Sequence, residues 1–98
     1  GTAEVAVPAG VSVSPGSWVQ FQGGDARGHV VRFDTLSLAD TARVWLKATE
    51  QLASPPLLTS ASRWLVSFEN APPGLYPFEI VGTGETGHGW VDVVVEGR

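Results

Sequence analysis

The sequence predicts an all-β Greek-key sandwich, and three observations support this fold class. Short runs of alternating apolar and polar residues recur along the 98-residue chain, as they do in half-buried strands. Clusters of glycine and proline separate these runs and predict tight turns between strands. No stretch combines the length and periodicity of a major amphipathic helix. Because this length suits one hydrophobic core, we expect a single domain over residues 1–98.

Six to eight short strands are expected, with turns at GGDARG (23–28) and NAPPG (70–74). Tyr76 follows NAPPG closely and is placed to bond back to the corner backbone, as in the tyrosine corner of Greek-key sandwiches. This feature keeps an immunoglobulin-like sandwich open as the alternative fold. The alternating residues that share a face within each strand are Val5, Val7, Val11, Val13, Val19, Phe21, His29, Val31, Phe33, Trp64, Val66, Phe68, Tyr76, Phe78, Ile80, Val91, Val93 and Val95.

The middle of the chain, residues 36–62, is the least regular segment. VWLKA (44–48) fits a strand, whereas TEQLA (49–53) fits one helical turn with Thr49 as its N-cap. The sequence assigns no function to this segment.

Composition excludes several classes of function. The formal net charge is −4 with only 6 lysines and arginines, so the chain lacks the basic surface that nucleic acid or anionic lipid requires. No apolar run approaches the roughly 18–20 residues that span a bilayer, and membrane insertion is not expected. The absence of cysteine excludes disulfides, thiolate zinc sites and a cysteine nucleophile. Because the chain also lacks a nucleophile elbow and a phosphate loop, we expect no enzymatic activity.

Four segments carry a distinctive order of strands and turns: VSVSPGSWVQFQ (11–22), GHVVRFD (28–34), RWLVSFENAPPGLYPFEI (63–80) and GTGETGHGWVDVVV (82–95). In this order and spacing they resemble the cupredoxins of the plastocyanin and azurin type. The resemblance covers most of the chain. It implies a cupredoxin-like Greek-key fold and an extracytoplasmic location, either periplasmic or secreted.

The resemblance also implies which residues stand at the positions of a type 1 copper site. Such a site needs a thiolate, two imidazoles and usually a weak thioether ligand. His29 matches the first copper histidine, but the cysteine position falls on Ile80. The methionine position falls on Gly89 or Trp90. The chain therefore resembles a cupredoxin that lacks the copper cysteine and methionine, and no type 1 copper cofactor is expected.

The final loop suggests a different metal site. The second histidine position of the resemblance falls near Glu85 or His88, depending on where the loop contains an insertion. Two imidazoles and one carboxylate suit Zn²⁺ or Cu²⁺, so a rebuilt copper or zinc site of His29, His88 and Glu85 is one hypothesis. In the competing interpretation His29 is an ordinary strand-start histidine and TGETGHGW (83–90) is a hairpin. The glycines that would then supply positive φ angles are Gly82, Gly84, Gly87 and Gly89.

Two tryptophans are candidates for a binding surface. Trp18 is out of phase with Val19 and Phe21, which predicts a position on the outer face of its strand or at the sheet edge. Trp90 follows the glycine loop at the start of the last strand. Tryptophans most often pack in a core or against a loop. Exposed tryptophan, however, offers a large contact area, so a partner-docking surface at Trp18 or Trp90 is one hypothesis.

These observations favour a non-enzymatic binding or structural module, a monomer that joins a protein partner or a larger parent complex. One alternative is metal binding through His29, His88 and Glu85. The other is an immunoglobulin-like adhesion or carbohydrate-binding module that uses exposed tryptophan. The positions of these side chains distinguish the two alternatives. A metal site requires His29 close to His88, whereas a binding platform requires an exposed tryptophan.

Overall fold

The computed structural model describes residues 4, 6, 8–24 and 28–95 of the chain. The alternation predicted at Val5 and Val7 and the centre of the GGDARG turn (25–27) lie outside the described residues. Within the described residues the chain forms six strands and one α-helix. The strands are β1 (Gly10–Val13), β2 (Trp18–Gln22), β3 (Val30–Phe33), β4 (Arg63–Ser67), β5 (Gly74–Val81) and β6 (Gly87–Val93).

The strands form two sheets, and most neighbours in the chain belong to different sheets. The larger sheet has the order β1-β6-β5-β3, and the smaller sheet pairs β2 with β4. β1 runs parallel to β6, whereas every other described strand pair is antiparallel. The chain passes from one sheet to the other at each step from β1 to β5. The all-β prediction is therefore confirmed. The last strand ends at Val93, before the predicted Val95.

The two sheets pack face to face around an aromatic core. Phe21 of β2 lies edge-to-face against Phe78 of β5, with ring centroids 5.0 Å apart. Phe33 of β3 and Trp64 of β4 approach to 6.2 Å across the same interior. Because side chains alternate along a strand, these contacts fix which face of each strand points inward and which points to solvent.

The helix α1 (Asp40–Ala48) lies in the middle segment and corrects two expectations. VWLKA (44–48) forms the second half of this helix and is not a strand. Thr49 caps the C-terminus of the helix instead of starting a helical turn. The helical spacing explains this outcome, because Ala42 and Leu46 stand one turn apart and are both buried in the core. Within the described ranges, no helix has the length and apolar character needed to cross a membrane.

Tyr76 lies in a densely aromatic part of the core. Its side chain is fully buried, and its hydroxyl donates a hydrogen bond of 2.6 Å to the Pro72 carbonyl. This bond confirms the predicted return to the corner backbone. The ring packs edge-to-face on Phe68 and on Trp45, with centroid separations of 5.3 and 6.0 Å. Burial raises the pKa of Tyr76 to about 12.

Candidate functional site

The glycine loop between β5 and β6 (82–86) surrounds Glu4. The Glu4 amide donates to the Glu85 carbonyl at 2.8 Å, and the Gly84 amide donates to the Glu4 carboxylate at 3.2 Å. Gly82 passes so close that a Cβ there would lie 2.7–2.9 Å from the carboxylate atoms of Glu4. The loop therefore packs closely around the side chain of Glu4.

The prediction that the loop glycines supply positive φ angles is wrong. Among the described residues, the glycines with positive φ lie elsewhere in the chain, at Gly16, Gly28 and Gly74. These positions need glycine for a different reason, because other parts of the chain approach their backbone closely. The Glu4 carbonyl occupies the space that a Cβ at Gly87 would need, and the Phe78 ring does the same at Gly89. Glycine is required here by packing.

Glu4 contacts His29 in a buried pair just before β3. The Glu4 side chain is 1% exposed, the His29 side chain is 11% exposed, and Glu4 Oε1 contacts His29 Nδ1. Two backbone hydrogen bonds with Leu57, of 3.0 and 2.7 Å, fix the position of His29. Leaving a buried polar group unsatisfied typically costs about 1–3 kcal/mol, so the contact with His29 helps to stabilise the buried carboxyl group of Glu4.

Sequence reasoning did not identify Glu4 as part of this site. Glu4 belongs to no motif, and its contacts His29 and Gly84 are distant in the sequence. The only signal is the density of glycine in residues 82–89, since repeated glycine marks a place where another backbone approaches closely.

The structure does not bring the three proposed metal ligands together. His29 points inward to Glu4, whereas His88 is exposed on the outer face of β6, where Glu79 is its register partner on β5. The sheet therefore separates the two imidazoles. Glu85 is exposed and reaches Glu4 through its backbone carbonyl. In the described part of the chain, no group of three or more histidines and carboxylates is placed to hold a metal ion.

Trp90 lies on the outer face of the larger sheet and is held by the strand beside it. It is 45% exposed, and its register partners are Gly10 on β1 and Pro77 on β5. The indole ring occupies the space where a Cβ at Gly10 would stand. A side chain at this position would displace the ring, so glycine allows the indole to lie against the backbone of β1. The tryptophan is therefore exposed and lies against the backbone of β1.

The outward residues around Trp90 form a mixed apolar and polar surface, here named the Trp90 face. Leu75 is 55% exposed and lies two positions before Pro77 on β5. His88 and Asp92 flank Trp90 on β6 and share its outward orientation. The Trp90 face is defined by Leu75, Pro77, His88, Trp90 and Asp92. An exposed aromatic side chain thus stands among apolar neighbours with polar groups beside them.

Trp18 occupies the opposite outer face of the sandwich. It is 64% exposed at the start of β2, and its register partner on β4 is Ser67. The inward residues Val19 and Phe21 alternate with it, as the sequence predicted. Trp18 and Trp90 therefore belong to different sheets and cannot contribute to one flat surface.

Comparisons with known proteins add no relative to this description. No protein-family model matches the chain, and a search of curated proteins finds no match.

Proposed function

We propose that this chain is a non-enzymatic, cupredoxin-like binding domain without a type 1 copper site, which docks a protein partner through the Trp90 face. The order of the four segments that resemble cupredoxins supports the family assignment. Ile80, at the position that the resemblance gives to the copper cysteine, is a buried apolar residue. An extracytoplasmic location is part of the proposal and follows from the resemblance.

The observation that carries this proposal is the exposed indole of Trp90, which lies against the backbone of β1. Its ring lies over Gly10 and keeps 45% of its surface in water. A tryptophan side chain has few rotatable bonds, so it offers a large contact area and loses little conformational entropy when a partner covers it. Tryptophan is also among the residues most enriched at interface hot spots.

A protein partner fits the surroundings of Trp90 better than a carbohydrate does. Leu75 and Pro77 extend the apolar area beside the indole, and His88 and Asp92 supply polar groups on the same strand as Trp90. An apolar, aromatic centre with a polar rim is the usual anatomy of a protein–protein interface. The immunoglobulin-like carbohydrate-binding alternative uses the same tryptophan and becomes an outcome of the test.

Site-specific photo-crosslinking in the native host tests this proposal. A benzophenone amino acid replaces Leu75 on the Trp90 face or, as the matched control, Leu65 on the outer face of β4, where the side chain is 53% exposed. We expect one discrete protein adduct from position 75 and none from position 65. Trp90→Ala should remove the adduct, since a hot-spot loss of at least 2 kcal/mol lowers affinity by about 30-fold.

Two results would count against the proposed partner. An adduct at position 75 that survives Trp90→Ala would show that the tryptophan is not the anchor. Binding to immobilised glycans that Trp90→Ala abolishes and Trp18→Ala preserves would favour the carbohydrate-binding alternative. The far-UV circular dichroism of both variants confirms that the fold is intact.

A further inference from the structure

The interior of the sandwich contains a cavity of about 430 Å³ that is partly open to solvent. Apolar side chains from both sheets line most of it, including Val19 and Phe21 from β2 and Phe78 and Ile80 from β5. Protein interiors are packed as densely as organic crystals and rarely hold voids larger than a water molecule. This space is partly open to solvent, and a cleft of this size lined mainly by apolar side chains is the usual form of a small-molecule site.

We infer that this cavity is a binding site for a compact, mainly apolar molecule that carries one hydrogen-bond donor. The volume sets the size of the ligand. An engineered apolar cavity of roughly 150 Å³ holds benzene, and sites for small ligands begin at roughly 300 Å³. A cavity of about 430 Å³ suits a bicyclic aromatic molecule or an aliphatic molecule of similar bulk.

The polar part of the cavity wall sets the chemistry of the ligand. Glu4 and His29 both line the cavity, and Glu4 is 4% exposed. A carboxylate has about four acceptor sites, and the described contacts of Glu4 engage one at His29 and one at the Gly84 amide. The remaining acceptor capacity favours a ligand N–H, O–H or ammonium group. A carboxylate-bearing ligand is disfavoured, because two carboxylates repel each other beside a largely apolar wall.

Amide NMR with a pair of isosteric ligands tests this inference. The ¹⁵N-labelled protein is titrated with indole and, separately, with indene, which has the same shape without the N–H group. We expect indole to shift amides of β2, β5 and Gly84 and to bind about tenfold more tightly than indene, the factor that one good hydrogen bond to a carboxylate supplies. Glu4→Gln should reduce this preference, since a neutral acceptor makes a weaker hydrogen bond.

A blocking variant and a matched control locate the binding event. Val19→Phe fills the cavity from β2, whereas Leu65→Phe adds a similar group on the exposed outer face of β4. The first should abolish the shifts and the second should preserve them. Phe21→Trp is a second blocking variant if the amide spectrum of Val19→Phe is not that of a folded protein.

Three results would overturn the inference. Wild-type protein could show no shifts with either ligand at millimolar concentration. The shifts could persist in a folded blocking variant. They could also map to Leu75 and Asp92, which belong to the Trp90 face and do not line the cavity, instead of the strands that line it. Equal affinity for indole and indene would overturn the part of the inference that concerns the donor.

Discussion

The interior of the sandwich has two halves that share the same sheets and are filled differently. In the closed half, side chains from α1 and both sheets are fully buried against one another; its members are Leu46, Val66, Phe68 and Tyr76. In the open half, a cavity of about 430 Å³ lies between the sheets, with Glu4 and His29 in its wall. The closed half is filled by packed side chains, several of them aromatic. The open half contains the cavity and the buried pair of Glu4 and His29.

The boundary between the halves passes between two paired residues. Val19 on β2 and Val66 on β4 are direct register partners and both face the interior. Val66 is fully buried, whereas Val19 is half-buried and lines the cavity. Two identical residues at the same level of one sheet therefore lie in different environments, one in a filled core and one at a cavity wall. We expect the closed half to carry most of the stability and the open half to provide room for a ligand.

The largest expected contrast comes from the same truncation in the two halves. Phe68→Ala removes a ring with 0% exposure and should lower the free energy of unfolding by about 3–5 kcal/mol. Phe21→Ala should cost at least about 1 kcal/mol less, because Phe21 is only partly buried and already borders a cavity. Urea denaturation measures both values, and equal costs would break the distinction between the halves.

The alkaline stability of the protein should depend on Tyr76 in the closed half. Its pKa is about 12 in the folded protein and 10.0 as the ordinary value, so the unfolded state releases the phenolic proton first. The contribution of Tyr76 to the free energy of unfolding is therefore fully present below pH 10. It decreases by about 1.4 kcal/mol per pH unit between about pH 10 and 12.

The control for this pH dependence is Tyr76→Phe, which removes the titrating group. Its free energy of unfolding should be lower near neutral pH, because the hydrogen bond to Pro72 is lost, and should change less between pH 10 and 12. Stability measurements across this range compare the two proteins. The same alkaline slope in both would show that the buried phenol is not responsible.

A smaller effect is expected from the glycines of the open half. Gly87→Ala places a methyl group against the Glu4 carbonyl and should destabilise the protein by about 1–3 kcal/mol. Gly24→Ala is the matched control, since no atom of the described residues lies within 4 Å of its new Cβ. Hydrogen exchange of the Glu4 amide, which bonds to Glu85, should accelerate in the first variant and stay unchanged in the second.

The strands were predictable from the sequence because their signal is local. Alternation along WVQFQ and YPFEI reports directly which side chains face the core, and the placement of Trp18 followed from it. The hydrogen bond of Tyr76 was also predictable, since the Pro-Pro-Gly turn and the tyrosine are neighbours in the chain. Short-range patterns thus gave the all-β class and the tyrosine corner.

The candidate sites were harder to predict because they depend on contacts between distant segments. The helix was missed because Val44 and Trp45 favour a strand, and the helical spacing appears only when Ala42 and Leu46 are considered together. The partnership of Glu4 with His29 has no sequence motif. The cavity is likewise a property of how two sheets meet, so no single strand predicts it.

The most direct test of the two-halves account is one substitution made on both members of a register pair. Val66→Phe and Val19→Phe are compared by urea denaturation. We predict that Val66→Phe lowers the free energy of unfolding by about 1–3 kcal/mol, because its site is filled. Val19→Phe should cost less than about 0.5 kcal/mol or stabilise the protein, because the ring enters existing space. Equal destabilisation by the two variants would contradict the account.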